Sequence, residues 1–277
     1  MDISIENFLS SHPYAETTKR TYTDILRRLI NHEPQSLTAT TLLEFINSQN
    51  WGNARSCVAL AASQKYLAWA YGINHPALAA RLKRIAGKPQ RALSIETVKI
   101  LLASFNTQTK KGARDLAIAA LALDTGLRCS ELCRLQQADT DTEHKSLQVI
   151  VKGGQWRAAV FSDETAAYIE RWKDFRKTIN PKGELFCNIQ TGQKLTPEGL
   201  NTIVKEWGKK INIKLSPHDL RRSFAVLATE AGAPERIIME GGRWSNSAMI
   251  QRYTRTLKLE SMRKYLPIST VEQNILK

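Results

Sequence analysis

The chain has 277 residues, 42% of them hydrophobic, which suffices for two ordinary domains with real cores and excludes a disordered chain. Forty Lys and Arg against 26 Asp and Glu leave a formal charge of +14, which points to a polyanionic partner, nucleic acid first. The apolar run from Leu116 to Leu123 is too short to span a bilayer, and the start, MDISIENFLS, is polar and acidic. Neither a membrane segment nor a secretory signal is therefore expected, and a cytoplasmic location is. The four cysteines, Cys57, Cys129, Cys133 and Cys187, show no paired CxxC spacing, so reduced thiols are expected and a zinc site or disulfide framework is not. Cys129 and Cys133 share a helix face but lack a second ligand pair for a metal.

Residues 1–86 read as short helices separated by polar turns. From Thr18 to Ile30, the residues Tyr22, Ile25, Leu26, Leu29 and Ile30 form the stripe of an amphipathic helix. A second helix is predicted after Thr38, with Leu42, Leu43, Phe45 and Ile46 inward. A third carries Val58, Leu60, Ala61, Tyr66, Leu67 and Trp69. A fourth is predicted to open at Pro76 and stop near Gly87, following the usual asymmetry of helix ends. The segment GKPQRA, residues 87–92, is basic and broken by Gly and Pro, and is placed as a linker.

From residue 93 onward helices dominate again. Val98, Leu101, Leu102 and Phe105 form one stripe, and Ala113 to Leu123 is predicted as a buried helix ending at Gly126. Two β-rich runs, residues 147–151 and 156–161, flank Lys152-Gly153-Gly154-Gln155 and predict a hairpin with positive φ at glycine. A further short strand is predicted at Leu185 to Cys187. Thr196-Pro197 and Ser216-Pro217-His218-Asp219 read as helix starts, the latter with a capping pattern. The fold class is mainly α: an N-terminal helical bundle followed by a mostly helical domain, residues 93–277, with a small antiparallel sheet. Residues 1–90 hold 10 basic and 6 acidic side chains, and the remainder 30 and 20. Both parts are positive, as a clamp on a duplex requires.

Four motifs carry the chemistry. In TGLRCSEL, residues 125–132, a helix ends at glycine, Arg128 follows at the turn, and Glu131 stands three residues on; by itself this also fits a surface ion pair. In PHDLRRSFA, residues 217–225, His218 and Arg221 share one helix face while Arg222 is rotated away. A helix N-terminus attracts anions, and an imidazole and a guanidinium beside it make a phosphate pocket. In GRWSNSAMIQRYTR, residues 242–255, Trp244 precedes Tyr253 by nine positions, and Tyr253 also fits an ordinary core aromatic sharing a face with Met249 and Ile250. Lys152 sits in the hairpin turn, a position that also suits a solvated lysine.

Taken together, these residues resemble the tyrosine recombinase (phage integrase) family, whose members show TGLRxSEL, a hairpin lysine, HxLRxxFA, a His or Trp, and a tyrosine in that chain order. The resemblance covers about residues 93–266; residues 1–86 match the family's core-binding domain only in helical character and charge. It implies a site-specific DNA recombinase that cleaves and rejoins duplex DNA through a 3′-phosphotyrosyl intermediate. Arg128 and Arg221 then grip the scissile phosphate and Tyr253 is the nucleophile. His218 accepts or relays the phenolic proton, Lys152 protonates the leaving 5′-oxygen, Trp244 donates a hydrogen bond, and Glu131 orients the basic groups. Arg157 and Arg222 are possible phosphate contacts. Two departures stand out: KGGQWR lacks a second lysine, which leaves open whether Lys152 or Arg157 reaches the leaving oxygen, and GGRW replaces the commoner LGH.

The resemblance further implies no metal or other cofactor, and a homo-tetramer on two DNA sites with residues 262–277 docking in trans. The alternatives are a type IB topoisomerase-like relaxing enzyme and a catalytically silent DNA-binding regulator of the same fold. A start at residue 1 with no preceding domain is expected to disfavour an integrase that also binds distant arm sites. The DNA target and the biological purpose of the reaction are not encoded in these motifs.

Overall fold

The computed structural model describes residues 4–85, 91–151, 154–179, 183–244, 246–247 and 250–251. The chain divides into two compact units, Met1–Lys88 and Pro89–Lys277.

In the first unit, apolar residues at three- and four-residue spacing build four helices: α1 (Ile5–Ser10), α2 (Glu16–Ile30), α3 (Ala39–Ser48) and α4 (Asn53–Tyr71). Tyr22, Ile25, Leu26 and Leu29 of α2 are buried, whereas Ile30, the last residue of the helix, is exposed. Leu42, Phe45 and Ile46 of α3 are buried as expected, with Leu43 half-buried. Thr38 caps α3 by accepting the Thr41 N–H at 3.2 Å. In α4 the inward stripe is Ala59, Leu60, Ala62, Ser63, Tyr66 and Leu67, while Val58 and Ala61 face outward. The small residues Ala59, Ala62 and Ser63 on this face let neighbouring helices approach, and α4 packs against α2 and α3.

The helix expected from Pro76 to Gly87 is a single 3-10 turn, Pro76–Ala79. The reason is competition for its carbonyls. The Gln64 side chain donates to the carbonyls of Leu78 and Ala80, both at 3.0 Å. Arg81 donates to the same two oxygens at 2.7 Å. Asn53 then ties down the following segment through the Lys83 carbonyl and the Ile85 N–H.

The second unit is organised on α6 (Lys110–Thr125), which is buried along most of its length. It follows α5 (Ile95–Ala103) and precedes the short α7 (Cys129–Leu132). Next come β1 (Thr140–Asp141), β2 (Ser146–Ile150) and β3 (Trp156–Val160), an antiparallel sheet in the order β1-β2-β3. In the register of the hairpin, Val149 faces Arg157 and Ile150 faces Trp156, and the connection is closed by a bond from the Val151 N–H to the Gln155 carbonyl. Gly154 has φ 76°, as the turn requires. Four further helices follow among the described residues: α8 (Asp163–Arg176), α9 (Pro197–Lys210), α10 (Pro217–Glu230) and α11 (Glu235–Gly242). Helices α8 and α10 pack on α6.

The third strand of the sheet is β1. Leu185 to Cys187 makes only isolated bridges at its flanks, Gln136 with Glu184 and Cys187 with Lys194. The Leu185 N–H donates to the Leu135 carbonyl at 2.6 Å and its carbonyl accepts from the Trp172 indole at 2.8 Å, so its backbone groups are satisfied without a continuous ladder.

A buried ionic cluster locks α6 to α9. The Asp115 carboxylate accepts from Lys111 at 2.8 Å, from Arg114 at 2.9 and 2.7 Å, and from the Trp207 indole at 2.9 Å. Among the described residues no helix is long and apolar enough to cross a membrane.

Candidate active site

The turn after α6 is built around Gly126. Its φ of 58° is left-handed, and an added Cβ would lie 2.6 Å from the Phe224 ring, so only glycine fits. This sharp exit places Arg128 at the N-cap of α7. Glu131, 2% exposed, holds it twice: the Arg128 backbone N–H donates to Oε2 at 2.8 Å and its guanidinium to Oε1 at 2.7 Å. The Arg128 side chain nonetheless remains 40% exposed.

Helix α10 starts sharply because Asp219 caps it, accepting from the Ser216 N–H at 2.8 Å and from its hydroxyl at 2.6 Å. The first turn carries His218, and Arg221 follows one turn on, buried. The Arg221 guanidinium donates to the carbonyl of Gly126 and, at 2.7 Å, to that of Gly242. It also lies 4.5 Å from the centre of the Trp244 ring, a cation–π stack. Trp244 folds back onto the end of α11, where a Cβ on Gly242 would sit 2.2 Å from the indole.

Arg128, Arg157, His218, Arg221, Arg243 and Trp244 all line one cleft of about 1330 Å³. Its cationic wall bears on His218. More than a third of the residue's surface is open, yet its ring lies against packed protein. Desolvation first, then the positive charges of Arg222 and Arg221, hold its pKa below the ordinary histidine value, with Asp219 pulling the other way. The neutral imidazole, able to accept a proton, is therefore the favoured form near neutral pH.

Comparison with known proteins gives these residues their context. Residues 91–260, more than half of the chain, match the model of the phage integrase family. The chain belongs to that family, as a tyrosine site-specific recombinase. It is 29% identical over 251 residues to tyrosine recombinase XerA of Pyrococcus furiosus, covering 90% of this chain and 86% of that protein. The fold is shared with the Tn1549 transposon integrase in complex with transposon right end DNA. There the TM-score is 0.76 at 17% identity over 99% of this chain and 98% of that one. It is shared also with the XerH site-specific recombinase bound to a palindromic difH substrate, with TM-score 0.72 and 21% identity over 89% and 78% of the two chains.

Of the residues singled out in the sequence, the recombinase fold brings Arg128, Arg157, His218, Arg221 and Trp244 to the cleft, with Glu131 directly behind Arg128. Arg157 stands on β3 with its guanidinium bonded to Gln155 at 3.0 Å. Arg222 is not brought there: it is tied to Asp219 at 2.9 Å and to the Arg91 carbonyl at 3.4 Å. Lys152, Tyr253 and the tail 262–277 lie outside the described residues.

One residue of the cleft escaped the sequence reading. Arg243 follows α11 with φ 55° and ψ 46°, a left-handed conformation that costs a residue with a Cβ roughly 1–2 kcal/mol. Its side chain is only 3% exposed. Burial first, then Arg128, push its pKa down, opposed by Glu131; a guanidinium nonetheless stays charged. The only signal in the sequence was the departure GGRW itself.

Proposed function

We propose that the cleft transfers one DNA backbone phosphate from its 5′-oxygen to the phenolic oxygen of Tyr253, and then on to a new 5′-hydroxyl. The observation that carries this reading is the meeting of Arg128, His218, Arg221 and Trp244, spread from position 128 to position 244, in a single cleft. A phosphodiester under attack gathers negative charge on its non-bridging oxygens, and two preorganised guanidinia stabilise that charge as it develops. Arg221 is set for this by carbonyls and an aromatic face, and Arg128 by Glu131.

The proton balance follows. Tyr253 loses its proton to His218 as its oxygen bonds to phosphorus, since a free phenol, with a reference pKa near 10, is protonated at neutral pH. The bond from phosphorus to the 5′-oxygen breaks, and that oxygen takes a proton from Lys152. Arg157 anchors a phosphate instead, because a guanidinium does not give up its proton. The Trp244 indole donates a hydrogen bond and packs the site. One phosphoester replaces another, so the covalent link conserves the energy for rejoining.

The helical unit Met1–Lys88 adds phosphate contacts on the same duplex, supported by its positive charge and by the DNA-bound structures of the fold relatives. The cycle runs in a tetramer on two sites with residues 262–277 docked on a neighbour. Truncation after Leu266 is expected to abolish strand exchange, and normal recombination by the truncated chain contradicts this part.

The test of the chemistry is a duplex nicked near the cleavage point. The native chain is expected to trap a covalent protein–DNA adduct and Tyr253→Phe none. Equal trapping by both moves the nucleophile elsewhere, for instance to Tyr265. Strand exchange between two duplexes separates recombination from simple relaxation.

A further inference from the structure

We infer that Arg243 is a positioning residue of the reaction, standing behind Glu131 and setting the charge and orientation that Arg128 presents to the phosphate. This rests on the reading that Arg128 grips the scissile phosphate. Two features of the geometry point to it independently.

The first is charge. Glu131 is 2% exposed and bonds Arg128 through both carboxylate oxygens. A buried carboxylate served by Arg128 alone would draw that guanidinium inward and cancel its charge. Arg243 places a second guanidinium nitrogen 3.9 Å from Oε2. The triad Arg128–Glu131–Arg243 therefore keeps a net positive charge, and of its two cleft-lining cations Arg128 is much the more exposed. Arg221, by comparison, donates to the neutral carbonyls of Gly126 and Gly242.

The second is connectivity. One nitrogen of Arg243 donates to the carbonyl of Thr125, the last residue of α6, at 2.8 Å, and the other to the carbonyl of Gly241 at 2.7 Å. A single side chain thus fastens the end of α11, from which the chain continues through Trp244 toward Tyr253, to the turn that carries Arg128. Arg221 links Gly126 to Gly242 in parallel. Two arginines stitch the same two segments, one toward the phosphate and one behind it. The left-handed backbone at Arg243 suits glycine better, so the guanidinium, not the backbone, explains an arginine there.

The experiment follows from that last point, because Arg243→Gly deletes the guanidinium while relaxing the backbone. Single-turnover cleavage of the nicked duplex is expected to slow about ten- to hundredfold, the effect of a misplaced reacting group. Affinity for uncleaved duplex is expected to stay within about threefold of native, since an interaction felt in the transition state alone leaves binding unchanged. Arg243→Lys, which keeps the cation and loses the fork, is expected to fall between native and Arg243→Gly. Adding Glu131→Gln to Arg243→Gly is expected to give no slower cleavage than the slower single variant, because a neutral side chain no longer needs the second cation.

The inference is overturned by native-rate cleavage in Arg243→Gly, by equal losses of rate and affinity, or by multiplying losses in the double variant. Arg243→Lys as slow as Arg243→Gly overturns it too. Arg128→Ala is the reference. Native-rate cleavage by Arg128→Ala removes the phosphate-gripping reading itself, whereas an impaired Arg128→Ala beside a native-rate Arg243→Gly removes only the role of Arg243.

Discussion

The interiors of the two units are built on different principles. Among the described residues, the first unit buries no Asp, Glu, Lys or Arg; its core is Phe8, Ile25, Leu26, Leu29, Leu42 and Ile46, with Ser56, Ser63 and His75 as its buried polar groups. The second buries Arg114, Asp115, Glu131, Arg176, Asp219 and Arg221. An apolar interior is held by area and shape and tolerates small changes of side chain. A buried charge is stable only where its partners are exact in place, and breaking such a pair costs more than the pair contributes. The second unit uses that stringency to fix Arg221 in the cleft where we propose that a phosphate binds, and no buried charge of this kind appears among the described core residues of the first.

The contrast can be broken by substitution. The largest effect is expected at Asp115, where Asp115→Ala leaves Arg114 buried without its carboxylate and the Trp207 indole without its acceptor. A loss of about 3–5 kcal/mol is expected in denaturant unfolding of the second unit; a loss under about 1 kcal/mol would place this cluster among the surface pairs. Next are the two arginines of the cleft. Arg128→Ala and Arg221→Ala are each expected to slow cleavage of a nicked duplex by about 10²- to 10³-fold, as for a lost oxyanion donor. Arg221→Ala is also expected to lower thermal stability, because it leaves the carbonyls of Gly126 and Gly242 without their donors. Arg128→Ala loses less, being the more exposed. Equal melting temperatures for the two variants would show that burial does not distinguish them.

In the first unit a smaller loss is expected. Ile25→Val in the apolar core should remove about 0.5–1.5 kcal/mol with little change in cleavage rate. A loss as large as that of Asp115→Ala would erase the difference between the two interiors.

The smallest effect concerns pH. The folded pKa of His218 is depressed, chiefly by desolvation and then by Arg222. On acidification the unfolded chain therefore takes up its proton first, near pH 6.5. His218 lowers stability as pH falls through that value and contributes no penalty above it. For catalysis the same shift keeps the neutral base populated below 6.5, so the acidic limb of the cleavage profile is expected below that value. Arg222→Gln removes a positive charge and should move the limb upward. A limb already at or above 6.5 in the native chain, or a downward move in the variant, contradicts the assignment of His218 as base.

Much of this architecture is legible in the sequence because it is set locally. The stripe Tyr22, Ile25, Leu26 and Leu29, the cap at Ser216 and the glycine exit at Gly126 each follow from neighbours within one turn. The order and spacing of Arg128, His218, Arg221 and Trp244 carry the family resemblance that implies a shared site, and these four residues line one cleft. Other features depend on distant partners. The residues after Pro76 have helical composition, but Gln64, on another helix, and Arg81 take up their carbonyls. Leu185 looks like a strand residue until the Trp172 indole takes its carbonyl. Arg222 was rotated away on the helical wheel and is held there by Asp219. Arg243 was invisible because its significance lies in a carbonyl 118 positions earlier and in a backbone conformation that its neighbours do not announce.

The most direct test is the structure of the chain bound to a nicked duplex before cleavage. The scissile phosphate is expected within hydrogen-bond reach, about 2.7–3.2 Å, of the guanidinia of both Arg128 and Arg221, with the Tyr253 oxygen opposite the leaving 5′-oxygen. A phosphate bound elsewhere in the cleft, or held by only one of the two arginines, would contradict it.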